Sequence, residues 1–155
     1  MTEDSYSYSL TTFSRNGKLL QIEHALAAVN NGSVALGLKA ANGVVLATAK
    51  KNAPLVDETS VERISIISEN VGAVFSGLSP DFRVIINKAR KEAELYKLKF
   101  GEEASALAIA SFIGSIMQEY TQRGGVRPMG CSLLVAGYNA KDKKSDLYQI
   151  DPSGA

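Results

Sequence analysis

Gly32-Ser33 is the pair in this sequence with the most chemistry to offer. A hydroxyl residue directly after a glycine, at the head of an apolar run, becomes a nucleophile if the chain is cut between them. The amine freed by the cut then serves as its base. Such a site needs a carboxylate to orient the amine and a cation to lower its pKa. Arg63 supplies a cation, although a guanidinium does not exchange a proton near neutral pH. The carboxylate belongs at the end of the second hairpin strand, where residues 46–51 read LATAKK and Ala49 holds the place. Cutting before Ser33 would also discard a helix with a well-formed apolar face. Gly32-Ser33 therefore reads as a helix stop, and no catalytic residue is assigned.

Other chemistries fail on counts. One histidine and one cysteine, His24 and Cys131, lie far apart in sequence and cannot furnish a zinc set. His24 sits on the helix face opposite the apolar stripe and reads as an exposed polar residue. No glycine-rich phosphate loop of either common spacing is present. The segment SGLSP reads as a tight turn into a helix.

The elements that position these residues follow from periodicity. Leu19, Ile22, Leu26 and Val29 recur on one helical face, and Asn30-Asn31-Gly32 tolerates the left-handed conformation that ends many helices. Two apolar runs then flank Ala41-Asn42-Gly43, a strong hairpin signal. A second pair, RISIIS and VGAVFSG, is joined by Glu69-Asn70. Ser79-Pro80 predicts a helix start, with serine as the cap and proline at the first helical position. That helix shows an apolar face of Phe82, Ile85, Ile86, Ala89, Ala93 and Tyr96, and Gly101 breaks it. A further helix is predicted from about Glu102 to Gln122, followed by the loop RGGVRPMG and the strands CSLLVAGYN and SDLYQI. Hairpins imply antiparallel sheets, and strands apolar nearly throughout imply burial on both faces. The class is α+β, with two sheets packed face to face and helices outside. The ending DPSGA is a turn with nothing after it, which suggests a fragment.

Composition narrows the function. The 155 residues form one domain with 45% hydrophobic and 21% charged content. Seventeen basic residues against 16 acidic ones suggest no polyanion-binding surface. The lone cysteine fits a reducing compartment and excludes a disulfide framework. The polar, acidic start MTEDSYSYS is no signal peptide, and no apolar run reaches the roughly 20 residues that span a bilayer. The expectation is a soluble intracellular protein.

The segments YSYSLTTFSRNGKLLQIEHALAAVNNGS, LGLKAANGVVLATAKK, SGLSPDFRVIINKAR, IMQEYTQRGGVRPMGCSLLVAGYN and LYQIDPSGA together resemble α-type subunits of the 20S proteasome. The resemblance covers nearly the whole chain. It implies the N-terminal nucleophile hydrolase fold, a four-layer αββα sandwich, with residues 1–12 as a gating arm and 13–155 as an incomplete domain. In catalytic β-type relatives a threonine matching Ser33 is freed, with an aspartate matching Ala49 and a lysine matching Arg63. Here the hydroxyl is internal and the aspartate is missing, so the resemblance implies a non-catalytic subunit without cofactor or metal.

Its implied partners are other α subunits in a seven-membered ring, β-ring subunits, and the C-terminal tails of regulatory particles or other activators. Neither nucleic acid nor membrane is among them, and the implied location is cytoplasm and nucleus. In the family's gate cluster Tyr6 matches the first tyrosine, Ser7 stands at the aspartate position and Tyr8 follows in the arm. Arg15 replaces the proline of the turn, and His24 replaces the second tyrosine. Arg63 matches the lysine that meets an activator's carboxylate, and Leu19 and Gly32 match other positions lining that pocket.

Overall fold

The computed structural model describes residues 9–50, 53–139 and 142–155. Helix α1 spans Leu20–Asn30. Strands β1 (Ala35–Ala40) and β2 (Gly43–Thr48) pair antiparallel with Ala40 opposite Gly43, leaving Ala41-Asn42 as a two-residue loop. Strands β3 (Ile64–Ser68) and β4 (Val71–Gly77) form the second hairpin. Helices α2 (Ser79–Phe100) and α3 (Ala106–Gln122) precede β5 (Cys131–Asn139) and β6 (Lys144–Ile150). The sheets are a β1-β2 ribbon and a four-stranded antiparallel sheet in the order β3-β4-β5-β6.

Side-chain alternation sorts the layers. Val71, Ala73 and Phe75 of β4, with Cys131, Leu133 and Val135 of β5, point toward α2 and α3 and share one core with them. Phe82 of α2 stacks on Phe75 with ring centroids 4.2 Å apart, and Ile85, Ile109, Ile113 and Met117 fill the space around the rings. The apolar faces expected for both long helices are the faces that pack. The ribbon covers the opposite side of the sheet, against β4, β5 and β6. Gly37 sets its approach, since a Cβ there would sit 3.1 Å from the Leu147 methyls and 3.2 Å from Leu134. Lys39 also reaches across the layers to Asp146 at 3.2 Å. Among the described residues the order is helices, sheet, ribbon.

Three expectations need correction. Burial on both faces fails for the ribbon: Leu36, Leu38 and Val45 on its outward side, with Val34 just before it, are 60 to 76% exposed. A strand's two faces are independent surfaces, and only the inward one meets a layer here. Ser79 does not cap α2. Leu78 is the cap residue, without a side-chain bond, and its carbonyl accepts from Phe82 N at 3.2 Å. Finally, α3 begins at Ala106 rather than near Glu102, because the Ser105 hydroxyl accepts from Ala108 N at 3.2 Å and caps it there.

Candidate functional site

The junction from α1 into β1 is built by contact rather than by backbone conformation. Asn31 closes α1 in a right-handed conformation, with its N–H donating to Ala27 O at 3.1 Å. Gly32 is no left-handed cap either. A Cβ at Gly32 would lie 2.2 Å from Gly77 N and 2.6 Å from Ser76 Oγ. Glycine stands there because the junction is pressed onto the end of β4. The Ser76 hydroxyl completes the contact by donating to Val29 O at 3.0 Å.

Ser33 is held in place by this contact, and Arg63 meets it. Nη1 of Arg63, one residue before β3, donates to Ser33 Oγ at 2.9 Å. The Arg63 Nε is buried and is the one buried side-chain nitrogen or oxygen without a hydrogen-bond partner among the described residues. A buried donor left unmet costs about 1–3 kcal/mol. The hydroxyl and cation singled out from the sequence thus come together, while Ala49, exposed at the end of β2, offers no carboxylate. The pair can bind an anion. Proton transfer is closed to it, because the guanidinium keeps its proton and the Ser33 nitrogen is a peptide nitrogen.

A second constellation is not legible in the sequence. Asp81, in the first turn of α2, accepts from Arg127 Nη1 at 2.7 Å and Nη2 at 2.9 Å, and from Gly130 N at 2.9 Å. Burial pushes its carboxyl upward, but the Arg127 and Gly130 bonds outweigh this and hold it below the usual range. Next to this clamp, Leu78 N donates to Gly130 O at 2.9 Å. The clamp ties the loop that feeds β5 to the first turn of α2. Opposite charges 46 residues apart carry no local signal that they will meet.

Cys131, immediately after that loop, is fully buried, and burial pushes its thiol up to about 12. Thiolate is the reactive form. Ellman's reagent at pH 8 is therefore expected to leave native Cys131 unmodified and to titrate one thiol once the chain unfolds. Prompt reaction of the native chain would contradict the burial.

The remaining sequence candidates scatter. Tyr6, Ser7 and Tyr8 lie outside the described residues. Arg15 is exposed on a turn in which Gly17 N donates to Ser14 O at 2.9 Å and Gly17 has φ +72°. The turn thus closes with arginine in place of proline. His24 is exposed on α1, as its helical position implies, while Ala25 is buried and Ile22, Leu26 and Val29 are half-buried. Leu19 caps the start of α1, half-buried, and the 11-residue helix, roughly 16 Å long, separates it from Gly32. No group of three or more His, Cys, Asp or Glu is placed to hold a metal ion among the described residues, and no helix there is long and apolar enough to cross a membrane.

A layered sandwich with a hydroxyl at its first strand, retained behind an intact helix, is a definite class of protein. A family described as proteasome subunit matches residues 29–155, and the N-terminal signature of A-type proteasome subunits matches residues 6–28. The chain belongs to the proteasome subunit family, on its α-type side. It is similar to proteasome subunit alpha type-2 of Dictyostelium discoideum, 56% identical over 153 residues, which are 99% of this chain and 65% of that one. Proteasome subunit alpha type-2-A of Arabidopsis thaliana is 54% identical over 156 residues, covering 100% and 66%. The Caenorhabditis elegans alpha type-2 protein is 49% identical over 152 residues, covering 98% and 65%. The chain thus spans 65 to 66% of the length of these relatives.

Proposed function

We propose that the chain is a non-catalytic subunit of the outer α ring of the 20S proteasome, contributing to controlled substrate entry and to activator docking. The observation that carries this reading is the α1–β1 junction. Gly32 is packed onto Gly77, α1 is retained, and Ser33 meets an arginine rather than a proton-exchanging base. In this reading the fold completes to four αββα layers, the partners are other α subunits and the β ring, and degradation is carried out by neighbouring subunits. Residues 1–12 form the gating arm, with Tyr6, Ser7 and Tyr8 in it and Arg15 and His24 at its base. The protein works in cytoplasm and nucleus without cofactor.

The test is the native mass of the tagged protein drawn from its own cells, with co-purifying chains identified. A very large particle of several different chains of similar size is expected. A monomer or small homo-oligomer would overturn the reading and reopen Ser33 as a nucleophile.

In this reading Arg63, beside Ser33 and Gly32, is the cation of the activator-tail pocket, and Leu19, at the other end of α1, lies apart from them. A guanidinium binds a carboxylate by two parallel hydrogen bonds, where the family's lysine offers a point charge. Arg63→Ala is expected to weaken binding of an activator to the assembled particle about tenfold at this pocket. Equal affinity of variant and wild-type particles would exclude the role.

A further inference from the structure

We propose that Ser33 is a positioning residue for Arg63: by accepting from Nη1, its hydroxyl fixes the plane of the guanidinium so that its Nη end faces an incoming carboxylate. This rests on reading Arg63 as the docking cation and adds the residue that aims it.

The plane of the guanidinium sets the geometry. Its five N–H donors lie in one plane, and Nη1 is the end nitrogen on the Cδ side. Nη1 carries two N–H groups and commits one to Ser33 Oγ at 2.9 Å, which leaves its other N–H and those of Nη2 for a carboxylate. Nε is buried and unpartnered among the described residues, so neither water nor a carboxylate reaches it, and the Nη end is the part of the group that a ligand can meet.

The aim is only as good as the anchor, and Ser33 is well anchored. Its neighbour Gly32 lies against Gly77, and Val29, one helical turn earlier, is tied to Ser76 Oγ at 3.0 Å. An arginine side chain released from that hydroxyl keeps its charge but loses its fixed plane. Charge alone attracts any anion, whereas a fixed plane also lets two N–H groups meet both oxygens of a carboxylate at once. Ser33 therefore adds to carboxylate preference beyond what the charge alone gives.

The test uses assembled particles purified from cells carrying tagged variants of this chain. The probe is a short synthetic peptide ending in a free α-carboxylate, with a photo-reactive group beside it, and its C-amidated twin. Labelling of this chain is read by mass spectrometry, which separates its pocket from those of its neighbours. Wild type is expected to prefer the carboxylate peptide, and Ser33→Ala to lower that preference about tenfold with labelling by the amide unchanged. Ser33→Thr, which keeps the hydroxyl, should restore the preference. If Arg63→Ala removes the preference while Ser33→Ala keeps it, the positioning role is overturned and the docking role stands. If wild type shows no preference, or Arg63→Ala keeps it in full, both roles fall. Should Ser33→Ala fail to assemble, Ser33→Cys, nearly isosteric with a weaker acceptor, is read by the same criteria.

Discussion

Gly32→Ala is expected to destabilise the chain by about 3 kcal/mol, the upper range for forcing an extra methyl into a packed site. The new Cβ would stand 2.2 Å from Gly77 N, a backbone atom that cannot rotate away. Nor can Gly77 retreat. It holds φ +107°, and its own notional Cβ position is 2.2 Å from Gly130 O. Gly130 is fixed in turn by the bond from Leu78 N. The strain therefore runs from α1 through β4 to the start of β5. For a chain of this size the loss corresponds to a fall in Tm of about 10 °C. Gly43→Ala is the control, because a Cβ there meets nothing within 4 Å. Thermal denaturation of both variants decides the matter: equal Tm values would show that the α1–β1 junction is not closely packed. Activator docking should also fall in Gly32→Ala, because Ser33 and Arg63 are displaced together.

Loss of the Asp81 clamp is expected to cost a similar amount, about 3 kcal/mol in Asp81→Ala. Two bonds from Arg127 disappear, and the buried Gly130 N–H is left without an acceptor. Arg127, whose side chain is 61% exposed, regains water and contributes less to the loss. The same clamp predicts a pH dependence. Asp81 has its folded pKa lowered from 3.8, so the folded state favours the ionised form. Its contribution is complete well above pH 3.8 and disappears as pH falls through the lower folded value. Asp81→Asn removes that contribution at neutral pH and leaves no carboxyl to titrate. The Tm difference between wild type and Asp81→Asn should therefore be largest near neutral pH and shrink as the pH falls below 3.8. A difference independent of pH over that range would mean that the Asp81 charge does not stabilise the fold.

Much of the architecture is legible in residue type and spacing. The 3.6-residue rhythm of Phe82, Ile85, Ile86, Ala89 and Ala93 names the buried face of α2, because a helix of this kind buries one stripe. Asn42-Gly43 places the first hairpin, and Gly101, at φ +72°, ends α2 where expected. At the site, the exposed place of His24 and the lack of a carboxylate at Ala49 both follow from the sequence. The role of Gly32 does not. Helix-stop chemistry suggests a left-handed glycine there, and that expectation is wrong: the glycine answers to Gly77, a residue of another strand.

The elements, their apolar faces and the missing carboxylate at Ala49 can be read from the chain alone, since each depends on residue type and short-range spacing. Packing alone sets Gly32 against Gly77, brings Asp81 to Arg127 and Gly130, and places Arg63 Nη1 on Ser33 Oγ while Nε stays unpaired. These are meetings between distant segments. Their distances are set by how layers pack, and no local periodicity encodes them.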